Sequence, residues 1–312
     1  MARGLAAVTG ATGFLGRHLV RELSRSGWRV RVLARRDVIH PLWRDLEPEV
    51  VIGDLADEAA LARLCRGADL VVHAAGLIKG RNRATFEAVN IAGARRVAEH
   101  APGAMLLVSS LAAREPKLSD YAASKRGGEE AAQRVLGDRL TIVRPPALYG
   151  PGDPETLPLF KAAASSPVLP LLDPRTRLAL MHVEDAARQI AALAELPPHG
   201  QPVTLSDLRP EGYGWREILE TAAEACGSRP RFVRIPDFTL TLAAAAGLLA
   251  SARGPAPMIS FGKAREIRHR DWSVSRQEQP IELPPPLFDL RRGFLHTLEG
   301  YKMSGLARGN VR

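Results

Sequence analysis

VTGATGFLG, residues 8–16, stands near the start of a 312-residue chain. Gly10, Gly13 and Gly16 recur at intervals of three, behind the short apolar run GLAAV. The segment that follows carries Leu15, Leu19, Val20 and Leu23 at helical spacing, so the glycines fall where a strand hands over to a helix. A helix N-terminus offers unpaired amide protons and the positive end of the helix dipole to an anion. Three positions without side chains have separate uses there. Gly10 permits a tight turn, Gly13 lets a pyrophosphate approach the backbone, and Gly16 lets the helix lie close against the strand.

Outward from this junction the pattern repeats. WRVRVLAR alternates as a strand would, and EVVIGD, ADLVVHAAG, AMLLVSS and LTIVRPP are further short apolar runs. Between them lie helical stretches such as EAALARLC, FEAVNIAGARRVAEHA and YAASKRGGEEAAQRVLG. Regular alternation of this kind predicts an α/β fold, a doubly wound parallel sheet of the Rossmann type over residues 1–150. Beyond Gly150 the prolines of PGDPETLPLF, SSPVLPLLDP and PIELPPP interrupt it, which predicts a smaller, mainly C-terminal substrate-binding lobe over residues 151–312. MHVEDAARQIAALAEL resumes the strand-then-helix order, so residues 181–200 are expected back in the first lobe. Leu290, Phe294, Leu298 and Tyr301 mark a terminal helix.

Composition narrows the function. The chain is 46% hydrophobic and 25% charged, as expected of a globular protein with a real core. A net charge of +9 invites a polyanion partner, but the arginines are spread along the chain without a recognisable nucleic-acid module, so solvated surface charge is expected and no nucleic-acid partner. Cys65 and Cys226 stand alone, implying reduced thiols, and the eight histidines show no metal-ligand spacing, so no metal is predicted. The first strand begins too early to leave room for a leader, which makes the cytoplasm the expected compartment. LTLAAAAGLLA, residues 240–250, is too short to span a bilayer and is expected to pack in the core, although a ligand or membrane contact is the other reading.

TGATGFLG resembles the TGxxGxxG fingerprint of the short-chain dehydrogenase/reductase superfamily, in particular its extended, epimerase/dehydratase-like branch. GDL at 53–55, HAAG at 73–76, VNIAGA at 89–94, VSS at 108–110, YAASK at 121–125, RPPALYGPGD at 144–153 and HVEDAA at 182–187 resemble that branch's signatures, in order, from residue 5 to about 305. The resemblance implies an NAD(P)-dependent enzyme whose cofactor lies against Gly10, Thr12, Gly13, Phe14, Leu15 and Gly16, Asp54 and Leu55, Ala74, Ala75 and Gly76, Tyr121 and Lys125, and Pro145. It also implies pairing into a homodimer through helices that include the one bearing Tyr121.

The choice of nicotinamide is read at the end of the second strand, where NAD-binding folds place an acidic residue. Ala34 stands there, followed by Arg35 and Arg36, whose guanidiniums could bind a 2′-phosphate. NADP is therefore expected in preference to NAD. The alternative is a surface arginine pair with Asp37 turned inward to the ribose.

Tyr121 and Lys125 are four apart on a helical segment and share a face. A phenol titrates near 10 in water, and a neighbouring ammonium lowers that value by stabilising the phenolate. The resemblance implies Tyr121 as acid–base, Lys125 also on the nicotinamide ribose, Ser110 in preference to Ser109 on the substrate oxygen, and Asn90 supporting the backbone or a relay water.

Two departures bear on the substrate. Only LAAREPKLSD separates the serines from Tyr121, and Ala147 stands where sugar-nucleotide enzymes of the branch carry an asparagine three residues after the arginine of Arg144. The expected reaction is hydride transfer between NADP(H) and a carbonyl/alcohol pair on a small or apolar compound. Its rivals are a sugar or nucleotide-sugar epimerase/dehydratase, which would retain its cofactor through each turnover, and a non-catalytic NADP-binding sensor or assembly factor. Substrate identity, reaction direction and oligomeric state stay open at this level.

Overall fold

The computed structural model describes residues 3–36, 40–236, 238–250 and 260–304. From the N-terminus run β1 (Leu5–Thr9), α1 (Phe14–Arg25), β2 (Arg29–Ala34), β3 (Glu49–Ile52), α2 (Glu58–Cys65), β4 (Leu70–His73), α3 (Arg83–Phe86), α4 (Ala92–His100), β5 (Ala104–Val108), α5 (Asp120–Leu136) and β6 (Leu140–Arg144). There follow β7 (Ala147–Tyr149), α6 (Leu157–Ser165), β8 (Val168–Leu171), β9 (Arg177–Leu178), β10 (Leu180–His182), α7 (Val183–Leu193), β11 (Val203–Thr204), α8 (Trp215–Ala225), β12 (Arg231–Arg234), α9 (Phe238–Ala250), α10 (Phe261–Arg268), β13 (Asp271–Trp272) and α11 (Leu290–Met303).

Seven strands form one parallel sheet in the order β11-β6-β5-β4-β1-β2-β3. The chain winds from β1 through β2 to β3, then returns to the other side of β1 to lay down β4, so the switch point lies between β1 and β4. β1, β4 and β6 are buried along their whole length, which is why they read as continuous apolar runs rather than alternating ones. One face of the sheet packs Leu61, Leu64, Val71, Val97, Met105 and Leu140 into a close aliphatic core.

The chain divides into two units, the first comprising Met1–Pro145, Ala186–Leu205 and Glu278–Pro284, the second Pro146–Asp185, Ser206–Gln277 and Pro285–Arg312. The second contains three two-stranded parallel pairs, β7 with β10, β8 with β12 and β9 with β13. Its core is aromatic: Tyr149, Phe160, Phe294 and Tyr301 are fully buried and meet edge to face at centroid distances of 5.1–5.7 Å. Pro170 is accommodated inside β8 because that strand pairs on one side only, with β12.

The expected single helix over residues 86–101 is divided. Between α3 and α4 the segment Glu87–Ile91 forms a π turn, the wider winding that often occurs where a side chain must be re-aimed. The residue so placed is Asn90, which is buried.

Candidate active site

The glycine turn is built as its spacing predicts. Gly10 has φ +73°, a left-handed conformation, and a side chain there would strike the backbone of Ala74 and Ala75 at the end of β4. A Cβ on Gly16 would run into the backbone of Gly10, so both residues are needed to bring α1 against the β1 and β4 ends. Gly13 differs: an added Cβ would meet only the Gly10 carbonyl oxygen, at 3.2 Å, and the residue is exposed. As the N-cap of α1 it supplies no side chain to the first-turn amides. Those donors and the bare turn before them form a cradle suited to a phosphate. Thr12 is exposed beside it, while Phe14 and Leu15 are half-buried.

Around this cradle the other sequence-predicted residues take clear places. Arg35 and Arg36 are exposed just past β2; Asp37 lies outside the described residues. Asp54 is exposed and accepts the Ala56 amide at 2.8 Å, and Leu55 packs on the core beside Gly93. Ala74 donates its amide to the Thr9 carbonyl at 3.1 Å, Ala75 is half-buried, and Gly76 is exposed. Pro145 is buried, with its carbonyl taken by the Leu111 amide at 2.8 Å.

The α5 residues meet the ends of β4 and β5. Ser119 caps this helix by accepting the Ala122 amide at 2.9 Å, which fixes Tyr121 in the first turn. Tyr121 is half-buried with its ring centroid 6.3 Å from that of Phe86. One turn on, Lys125 Nζ donates to the Val108 carbonyl at 2.8 Å, at the end of β5. Burial lowers the Lys125 ammonium to about 8, with the Glu129 carboxylate working against that shift. A Cβ on Gly76 would stand 3.5 Å from Lys125 Nζ and 3.4 Å from Asn90 Oδ1, so the bare residue borders both.

The two serines after β5 have different occupations. Ser110 Oγ accepts the Ala112 amide at 3.2 Å, which leaves its hydroxyl hydrogen for a further acceptor. Ser109 is buried and donates to Glu129 Oε1. Asn90 accepts the Leu77 amide at 2.7 Å and donates to the Leu77 carbonyl at 3.0 Å and to Ser124 Oγ at 2.8 Å. It thus clamps the loop after β4 to α5. Gly128 makes this approach possible, since a side chain there would collide with the Asn90 carbonyl.

Two features escaped the sequence reading. Glu129 is buried and receives Arg144 at 2.8 and 2.6 Å through a bidentate pair, besides Ser109. The signal for it was present, because Glu129 continues the spacing of four from Tyr121 through Lys125. The second is His73, buried at the end of β4 and hydrogen-bonded to Thr9 Oγ1 at 2.6 Å. Burial and the Lys125 charge lower its imidazole to about 3, so it stays neutral. It opens the HAAG stretch, whose resemblance marked Ala74, Ala75 and Gly76 but gave His73 no role. Among the described residues no group of three or more His, Cys, Asp or Glu could hold a metal ion, and both thiols are raised by burial, Cys65 to about 11.

A phosphate cradle at the sheet's switch point and a tyrosine–lysine helix on its flank coincide with a match, over residues 6–205, to the model of the NAD dependent epimerase/dehydratase family. The chain belongs to this family. It is 52% identical over 314 aligned residues to the ceramide reductase of Caulobacter vibrioides, covering 99% of this chain and 98% of that one. It is 26% identical to the 4-hydroxy-2-methyl-3-oxo-4-farnesyl-3,4-dihydroquinoline-1-oxide ketoreductase of Stigmatella aurantiaca, over 86% and 90% of the two chains. The fold matches that of the UDP-glucuronic acid 4-epimerase of Bacillus cereus, solved with UDP-glucuronic acid and NAD, with a TM-score of 0.68 at 17% identity over 97% of this chain and 100% of that one. This family member is an NAD(P)-dependent oxidoreductase of the extended short-chain dehydrogenase/reductase branch. No helix among its described residues is long and apolar enough to cross a membrane.

Proposed function

We propose that this enzyme reduces a carbonyl on a ceramide-like, apolar-chain lipid with NADPH. The whole-length similarity to a ceramide reductase supports the substrate class. The observation that carries the chemistry is the placing of Lys125, on the same face of α5 as Tyr121 and held at Val108 beside the bare Gly76. NADPH would lie with its phosphates on the turn from Gly10 to Gly16 and its 2′-phosphate toward Arg35 and Arg36; when bound, it supplies the hydride. Tyr121 gives its proton to the substrate oxygen, and Lys125 stabilises the phenolate left behind. Ser110 donates a hydrogen bond to the same oxygen from the hydroxyl hydrogen that its bond with Ala112 leaves over. Asn90 keeps the loop after β4 in register with α5. Substrate selection is assigned to the second unit, and the working form to a homodimer in the cytoplasm.

Titration with NADPH and NADH, followed by oxidation of free NADPH against a panel of long-chain and sugar carbonyls, tests the reading. Net NADPH consumption with the long-chain carbonyls is expected, and Tyr121→Phe should lower kcat about 10³-fold while leaving NADPH binding intact. Arg35→Ala with Arg36→Ala should weaken NADPH about tenfold or more and leave NADH nearly unchanged. Tighter binding of NADH by the wild type would reverse the cofactor assignment; turnover of a nucleotide sugar without NADPH consumption would replace reduction by epimerase chemistry.

A further inference from the structure

The chain's positive charge is not evenly spread. Residues 229–270 contain eight Lys or Arg and two Asp or Glu, a net +6 of the chain's +9. Within this stretch α9 has two unlike faces. Leu240 and Ala244 are buried with Ala264, against Leu172 and Ile267, which docks α9 on α10. On the opposite side Phe238 and Leu242, one turn apart, are both 61% exposed. Phe261 at the start of α10 and Val233 on β12 are exposed as well. β12, leading into α9, presents Arg231 and Arg234 to solvent, and Lys263, Arg265 and Arg268 are exposed along α10.

Exposed aromatic and aliphatic side chains set among cations, on a helix of 13 residues, suit a surface that lies on a bilayer and does not cross it. The charge chooses the occupant. A polynucleotide would use the cations but give Phe238 and Leu242 nothing to enter, and a second copy of this chain would bring net +6 against net +6. We infer that α9, with β12 and α10 beside it, docks the protein on an anionic phospholipid surface, inserting Phe238 and Leu242 between the headgroups while the arginines hold the phosphates. The inference goes beyond the proposed reaction and stands on this surface alone, though it would bring the enzyme to a lipid substrate.

Sedimentation of the full chain with vesicles of phosphatidylcholine, with and without one-quarter phosphatidylglycerol, tests it. Binding to the anionic vesicles in 50 mM salt is expected, weakened at least tenfold in 500 mM salt or on neutral vesicles. Phe238→Ser with Leu242→Ser should lower binding at least fivefold, with the melting temperature and NADPH titration unchanged, so that failure here is separable from failure of the cofactor site. Wild type that ignores the anionic vesicles, or a double variant that binds them as wild type does, overturns the inference. So does a double variant that changes only the molecular mass in solution, which would make the face a contact between copies. None of these results bears on net NADPH oxidation, which tests the proposed reaction separately.

Discussion

The two units bury charge for different ends. In the first, Lys125, Glu129 and Arg144 gather where α5 passes the ends of β5 and β6, with His73 close enough to feel the Lys125 charge. In the second, Asp185 in the first turn of α7 accepts the amides of Leu287 at 2.9 Å and Phe288 at 3.0 Å, and His182 stacks on the Phe288 ring at 3.9 Å. Asp207 there accepts the Tyr213 hydroxyl at 2.6 Å, and burial raises its carboxyl to about 6. In the first unit the buried polar side chains bind backbone at the strand ends, as Lys125 and Asn90 do, and also tune one another's charge. The irregular chain of the second has loose amides to satisfy, and its buried polar groups serve as fasteners.

The largest expected effect tests the first half of that contrast. Glu129→Gln leaves the buried Arg144 without its counter-charge and should cost about 3–5 kcal/mol, read from urea unfolding. It should also act on the chemistry. Glu129 raises the Lys125 ammonium against the pull of burial, so its removal moves that group further below about 8. The basic limb of the kcat/KM profile, where the ammonium is lost, then shifts to lower pH. A stability loss with an unmoved limb would make the pair a structural fastener, like those of the second unit.

Asp185→Ala should cost less, about 2–3 kcal/mol, as the Leu287 and Phe288 amides lose a charged acceptor inside the protein. NADPH affinity should stay within a factor of two. Asp185 stands in the first turn of α7 but turns its carboxylate to a segment about 100 residues away. A fall in NADPH affinity that exceeds the loss of stability would erase the distinction between the two units.

The long reach of Asp185 shows what a local stretch of sequence could not convey. The sheet was legible because each buried parallel strand is a continuous apolar run and each helix repeats on a period near 3.6, so a local window contains the signal. The candidate site was legible where it shares that locality, in the glycine turn and the spacing of Tyr121 with Lys125. The division of the helix at Glu87–Ile91 was not, because a π turn inserts one residue without altering the apolar pattern. Neither was the Glu129–Arg144 pair, which lies on separate elements and depends on the sheet to bring them together. In the second unit, β8 hid behind Pro170, and the aromatic core drew Tyr149, Phe160 and Phe294 from segments too far apart for any period to link. The clustering of charge over residues 229–270 is legible as a count, but its cations are spaced out along the chain, so no local window shows which of them neighbour the exposed side chains of α9.

A smaller effect compares the buried histidines of the two units. Burial lowers both His73 and His182 to about 3, with Lys125 adding to the first and His296 to the second. The unfolded chain takes up a proton at each near pH 6.5 while the folded protein does not, so stability is whole above about 6.5 and falls as pH drops toward 3. Each histidine should contribute about 1.4 kcal/mol of loss per pH unit in that range. Urea midpoints at pH 7.5, 6.5 and 5.5 measure these losses together with the smaller one at His40 and the opposing proton uptake at Asp207, and His73→Gln should remove the share that belongs to His73. A slope unchanged by His73→Gln would remove His73 from the pH response.

The smallest effect separates the units most cleanly, because the perturbation is the same in both. Ser119 caps α5 through the Ala122 amide at 2.9 Å, and Asp289 caps α11 through the Arg292 amide at 2.8 Å. Replacing either by Ala should cost about 1 kcal/mol, since one first-turn donor loses its acceptor. Tyr121 stands two residues beyond Ser119, so fraying at that cap would loosen the phenol to which the proposed reaction assigns the substrate oxygen. Leu290 and Phe294, which follow Asp289, only fill the aromatic core. At equal loss of stability, Ser119→Ala should therefore lower kcat several-fold with KM for NADPH unchanged, whereas Asp289→Ala should leave kcat as it is. Equal kcat in the two variants would mean that Tyr121 is held by its packing near Phe86 and not by the helix start.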